Sequence, residues 1–156
     1  MANPNEALVN EPREAILDAA ALCFMERGFN ATSIDDIARR LSATKGMVYH
    51  YFSSKAELFF EIHHRAMDVL FAELEPVAAS DLPAPERFTE MARRYVETLI
   101  RTQPYQRTVS EAVQMVLRNS TTAEQREQLT DLQARRYQCE ALFMAVLEEG
   151  MGKGTM

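Results

Sequence analysis

Thr32-Ser33-Ile34-Asp35-Asp36-Ile37-Ala38-Arg39-Arg40-Leu41-Ser42-Ala43-Thr44-Lys45-Gly46-Met47-Val48-Tyr49-His50-Tyr51-Phe52 contains two short helical patterns parted by a brief break. The hydroxyls of Thr32 and Ser33 suit an N-cap, and Asp35 and Asp36 are favourable in a first helical turn. Ile34, Ile37, Ala38 and Leu41 recur at helical spacing. Ser42-Ala43-Thr44 interrupts that pattern, and Thr44 can cap a further short helix through about Phe52. Upstream, Ile16, Leu17, Ala20 and Phe24 form the stripe of a longer helix from about Glu11. Pro12 sits in its first turn and Gly28 is its stop. Two short helices behind a longer one make a helix-turn-helix candidate.

The last of these three helices has groove chemistry. Thr44 and the free amides at its start can hold phosphate, and Lys45 is a flexible donor to phosphate or to a guanine edge. Gly46 lets the backbone come close, and Tyr49 and His50 add a hydroxyl, rings and an imidazole. Val48 and Phe52, four apart, read as core. Tyr49 has an alternative reading as packing between helices, Tyr51 stays open between core and phosphate, and Arg39 and Arg40 read as a solvated face.

The chain has 156 residues, 47% hydrophobic and 26% charged, with a net charge of −6. This is the composition of an ordinary folded domain, not of a disordered or collagen-like chain. No apolar run approaches a membrane helix, and the N-terminus has no apolar signal core. Cys23 and Cys139 lie far apart in helical patterns, so neither a disulfide nor a zinc site is expected, and a reduced, cytoplasmic protein is. The global charge argues against nucleic acid, because phosphate contacts need clustered Lys and Arg. Between Thr32 and Lys55, however, Arg39, Arg40, Lys45 and Lys55 face only Asp35 and Asp36, a local balance of +2.

Residues 1–10 read as a flexible arm, 11–56 as the helix-turn-helix domain and 57–156 as a second helical domain. A long helix is expected from Lys55 to about Glu75, broken at Pro76 and through Ala78–Pro85. A helix from about Ala84 carries Phe88, Met91, Tyr95 and Leu99, and a segment from Gln103-Pro104 to about Arg118 carries Val109, Val113, Val116 and Leu117. The last helix, from about Thr122 to Glu149, shows Leu129, Leu132, Arg136, Cys139, Phe143 and Val146 on one stripe. No strand alternation accumulates, and the fold class is all-α.

At these residues the sequence resembles the TetR family of transcriptional repressors. The resemblance runs from Ile16 to Leu58 and rests on Ala19-Ala20, Phe24, Gly28-Phe29, Thr32 to Ala38, Leu41 to Phe52 and Ser54 to Leu58. It implies that Ser33 caps the second helix and touches phosphate. It further implies that Thr44, Lys45, Gly46 and Met47 face the major groove of double-stranded operator DNA, that Tyr49 and His50 contact backbone or bases, and that Lys55 binds phosphate. Ser42 stands where the family usually places Gly, which raises strain there. The resemblance also implies a ligand-responsive regulator, most commonly a repressor on a palindromic operator. Two further helices, which usually form the homodimer bundle, would follow where this chain stops, so a shortened form of a dimeric repressor is expected.

In the second half, Met67, Phe71, Phe88, Met91, Tyr95, Met115 and Tyr137 are candidate ligand contacts, although such stripes are usually plain core. Nine Met suggest a mouldable apolar interior. Arg136 on the last stripe must snorkel, pair or meet an anion. Pro85-Glu86-Arg87-Phe88 and Glu148 to Gly154 are similar to repressors that sense acyl-CoA thioesters. No cofactor or metal is implied: Gly150 to Gly154 lacks the strand–loop–helix context of a phosphate loop, and the histidines lack ligand geometry. An enzyme is disfavoured. The other alternative is a helical binding or co-regulatory protein that no longer reads DNA.

Overall fold

In the computed structural model, residues 12–104 and 122–155 are described, and among them six helices and no strand occur. They are α1 (Pro12–Arg27), α2 (Ile34–Arg40), α3 (Lys45–Tyr51), α4 (Lys55–Ala78), α5 (Ala84–Arg101) and α6 (Ala123–Gly152). The expected arm at 1–10 and the segment carrying Val109, Val113, Met115, Val116 and Leu117 lie outside the described residues. The described chain forms two compact units, one built on residues 12–63 and the other on 64–103 with 122–155.

The first unit is assembled by local capping and one apolar cluster. Gly28 ends α1 at φ +82°, its N–H donating to the Phe24 carbonyl at 2.8 Å, as a left-handed C-terminal residue does. Thr32 is buried, and its hydroxyl lies 2.8 Å from the Gly28 carbonyl and 3.1 Å from that of Cys23, so it closes α1 while Ser33 opens α2. Ile16, Leu17, Phe24, Ile37, Val48, Phe52, Leu58 and Ile62 are fully buried. The rings of Phe24, Phe29 and Phe59 continue that core at centroid separations of 5.3 and 5.4 Å.

The connection between α2 and α3 is a Schellman turn. Ala43 N–H donates to Ala38 O at 2.9 Å and Ser42 N–H to Arg39 O at 3.1 Å, which places Ser42 at φ +53°. A serine thus holds the left-handed position that a glycine takes without a Cβ penalty.

In the second unit, Leu70, Leu74, Val77, Ala84, Met91, Cys139 and Val146 form the core, with Met67, Phe71, Phe88, Tyr95, Leu142 and Phe143 packed against it. Phe143 meets Phe88 and Tyr95 edge-on at 5.7 and 5.8 Å. The break expected at Pro76 does not occur, because α4 carries it within its last turn. So near the end, proline forfeits one intrahelical bond, while Leu74 and Val77 on either side are buried in the core. Thr122 opens α6 by a capping box with Gln125, and that helix runs on to Gly152 rather than stopping near Glu149.

Candidate nucleic-acid interface

Ser33 and Thr44 set the starts of the two short helices. Ser33 Oγ accepts from Asp36 N–H at 3.1 Å while the Asp36 carboxylate accepts from Ser33 N–H at 2.9 Å, a reciprocal cap. The two Ser33 bonds, backbone first, hold the Asp36 carboxyl below its ordinary range, and Arg27 and Arg39 add to this. Thr44 Oγ1 accepts from Met47 N–H at 3.2 Å. These caps fix how α2 and α3 leave the turn.

The faces of α3 separate cleanly. Val48 and Phe52 are buried at 0% and 1% exposure. Thr44, Lys45, Gly46, Tyr49 and His50 are exposed, and Met47 and Tyr51 are half-buried. Tyr49 is 49% exposed, so it does not pack between helices. The His50 and Tyr51 rings meet edge-on at 5.0 Å. A Cβ at Gly46 would come no nearer than 3.8 Å to Thr44 Oγ1, so no intramolecular neighbour requires glycine there. Beside this face runs an open groove of about 410 Å³ lined by Asn30, Ser33, Tyr49, Ser53, Ser54 and Lys55 among others.

Every Lys and Arg of residues 12–63 has an acceptor partner. Arg13 meets Glu61, Arg27 and Arg39 meet Asp36, Arg40 meets Glu26, and Lys45 Nζ lies 3.1 Å from Asp35 Oδ2. Lys55, expected at a phosphate, is instead turned onto protein. Its ammonium donates to Phe29 O at 2.8 Å and Thr32 O at 2.9 Å, and burial pushes its pKa down. It lines the groove as a fastening, and the hydroxyls of Ser53 and Ser54 lie beside it. Sequence reasoning weighed Asp35 as a helix-start residue and in the local charge count but not as the partner of Lys45, which lies in the next helix.

Residues 16–62, which take in most of α1 and all of α2 and α3, match the family model for bacterial regulatory proteins of the tetR family. The chain is 29% identical over 143 residues to the transcriptional repressor KstR2 of Rhodococcus jostii, covering 92% of this chain and 67% of that one. It is 38% identical over 79 residues to KstR2 of Mycobacterium tuberculosis, covering 51% of this chain and 40% of the relative. The solved structure of that ketosteroid transcriptional regulator superposes with a TM-score of 0.78 at 26% identity, over 93% of this chain and 70% of the other. Residues 16–62 are a DNA-binding module of the TetR family. TetR proteins are DNA-binding transcriptional regulators rather than enzymes, and the helix-turn-helix and all-α architecture found here are theirs.

The second unit redistributes the expected ligand contacts. Met67, Phe71, Phe88, Met91 and Tyr95 come together in the apolar cluster. Met115 lies outside the described residues. Tyr137 is 68% exposed and Arg136 is exposed, so neither lies in that cluster. The inward arginine is the neighbouring Arg135, bonded to Asp68, 3.3 Å from His64 Nδ1 and stacked 5.7 Å above the Phe71 ring. Residues three and four before Cys139 both fall near its face, and the carboxylate on α4 selects the latter. Sequence reasoning named Arg87 only within the Pro85–Phe88 stretch and gave its side chain no role. It is 9% exposed, donating to Ala78 O at 3.0 Å and to Glu149 at 2.5 Å, while its Nε has no hydrogen-bond partner. Among the described residues no helix is long and apolar enough to cross a membrane.

Proposed function

We propose that this protein is a ligand-responsive repressor of the cytoplasm that binds a palindromic operator as a homodimer. In this reading α3 enters the major groove. Thr44, Lys45, Gly46 and Met47 lie against bases and phosphates there, Tyr49 and His50 flank them, and Ser33 meets a phosphate at the start of α2. The observation that carries it is the division of α3, whose polar residues are exposed while Val48 and Phe52 are buried. Affinity for a palindrome comes from two linked heads, since one module makes few contacts. The effector is a small apolar or acyl-CoA-type molecule taken up among Met67, Phe71, Phe88, Met91 and Tyr95, which shifts the spacing of the heads. The ketosteroid regulator to which the chain is similar supports an apolar effector.

The paired state of the module's cations favours a second reading, a helical co-regulator that no longer reads DNA. Fluorescence anisotropy on labelled DNA from upstream of the gene, at two salt concentrations and against scrambled competitor, separates the two. Specific binding that weakens steeply with salt is expected, and Tyr49→Ala and His50→Ala weaken it. Binding that is flat in salt and indifferent to scrambling sinks the repressor reading. Adding an acyl-CoA or a steroid to the bound complex then tests release.

A further inference from the structure

We infer that Asp35 restrains Lys45 and so keeps affinity for arbitrary DNA low. The inference rests on the DNA-binding reading above and deepens it. Lys45 is the first residue of α3 and Asp35 lies in the first turn of α2. Their Nζ and Oδ2 atoms are 3.1 Å apart, and both side chains are more than half exposed, at 53% and 56%. The pair therefore bridges the two helices of the motif from the outside.

Non-specific binding draws almost entirely on cations meeting phosphates. In residues 12–63 none of the six Lys and Arg side chains is without an acceptor partner. Lys45 is the one that starts α3, and any phosphate it meets must displace the Asp35 carboxylate. That carboxylate then stands, unpaired, beside the anionic backbone, an unfavourable arrangement in every register of the duplex. Base-edge contacts from α3 outweigh it in a cognate register, and an arbitrary register, which lacks them, is left weak. The pairing also holds the amine in one direction, away from wandering among phosphates. Asp35 thus lowers affinity for arbitrary DNA.

The test is anisotropy on a random-sequence duplex, titrated with the wild-type chain, Asp35→Asn, Asp35→Asn/Lys45→Gln and Asp81→Asn from about 50 to about 200 mM salt. Asp81→Asn, at an exposed site between α4 and α5, makes the same change in net charge in the second unit. Asp35→Asn is expected to bind about threefold tighter at the low end and to steepen the slope of log K against log salt by about 1, one added phosphate contact. The double variant loses that gain, and Asp81→Asn does not show it. Unchanged affinity and slope in Asp35→Asn overturn the inference, as does a gain that survives Lys45→Gln or appears equally in Asp81→Asn. In those cases salt-sensitive binding by the wild type leaves the DNA-binding reading standing. Absence of salt-sensitive binding by every chain, on random and upstream DNA alike, overturns both.

Discussion

The Lys55 ammonium sits 4.4 Å above the centre of the Phe29 ring and donates to the Phe29 carbonyl at 2.8 Å. Because the same amine also donates to Thr32 O at 2.9 Å, the first residue of α4 fastens the connection between α1 and α2. The position of α2 against the rest of the module depends on this fastening. Sequence alone places Lys55 at a helix start, where phosphate binding is the natural expectation.

Lys55→Met leaves two carbonyls without their charged donor and is expected to destabilise the chain by about 1–3 kcal/mol, measured by urea denaturation. A phosphate role predicts something else. Replacing a phosphate contact lowers the salt slope of DNA binding by about 1, and a fastening residue leaves that slope unchanged. A reduced slope with an unaltered urea midpoint would return Lys55 to the phosphates.

Ser42 at φ +53° invites a stabilising change. The left-handed conformation costs a residue with a Cβ roughly 1–2 kcal/mol, and glycine recovers most of it while adding entropy to the unfolded chain. Ser42→Gly is expected to gain about 0.5–1 kcal/mol in the same denaturation experiment. Ser42→Val, β-branched in that region, lowers stability instead. A loss of stability in Ser42→Gly would show that the turn is not strained.

The Glu149 carboxyl is held down to about 2 by its bond to Arg87 first, then by Lys153 and the charges of both. Its folded value lies below the ordinary 4.5, so the contribution of this group is whole above that pH and is lost as pH falls toward about 2. The melting temperature of the wild type is therefore expected to exceed that of Glu149→Gln at neutral pH, with the difference closing between those values. A difference constant with pH would show that the pair contributes by packing alone. Arg87→Met is expected to lower the melting temperature more than Arg93→Met, because Arg87 is buried and Arg93, although bonded to Glu90 and Glu97, is exposed.

Arg135 and Arg136 offer a sharp contrast on one helix. Arg135→Ala removes the bond to Asp68, the contact with His64 and the stacking on Phe71, and is expected to destabilise by about 1 kcal/mol or more. Arg136→Ala, at an exposed site, stays within about 0.5 kcal/mol of wild type. Equal effects would mean that α6 is rotated from the orientation described.

The helices, their caps and the apolar residues of the first unit were readable along the chain because they are local. Ser33, Thr44 and Thr122 each bond to a backbone group three residues on, and Val48 and Phe52 share a face by helical period alone. Charge was not readable in that way. A count of +2 across the motif conceals that Asp35 holds Lys45 and that Lys55 is turned onto carbonyls more than twenty residues away. Likewise Arg87 finds Glu149, and α4 rather than α6 decides that Arg135 faces inward and Arg136 does not. Pro76 stays helical because neighbouring side chains are buried on another helix's surface, a gain invisible to propensity. Periodicity and caps act over one or two helical turns, so the sequence carries them whole. Ion pairs and buried polar atoms are settled by which distant groups the packing brings within about 3 Å, and only the folded chain holds that information.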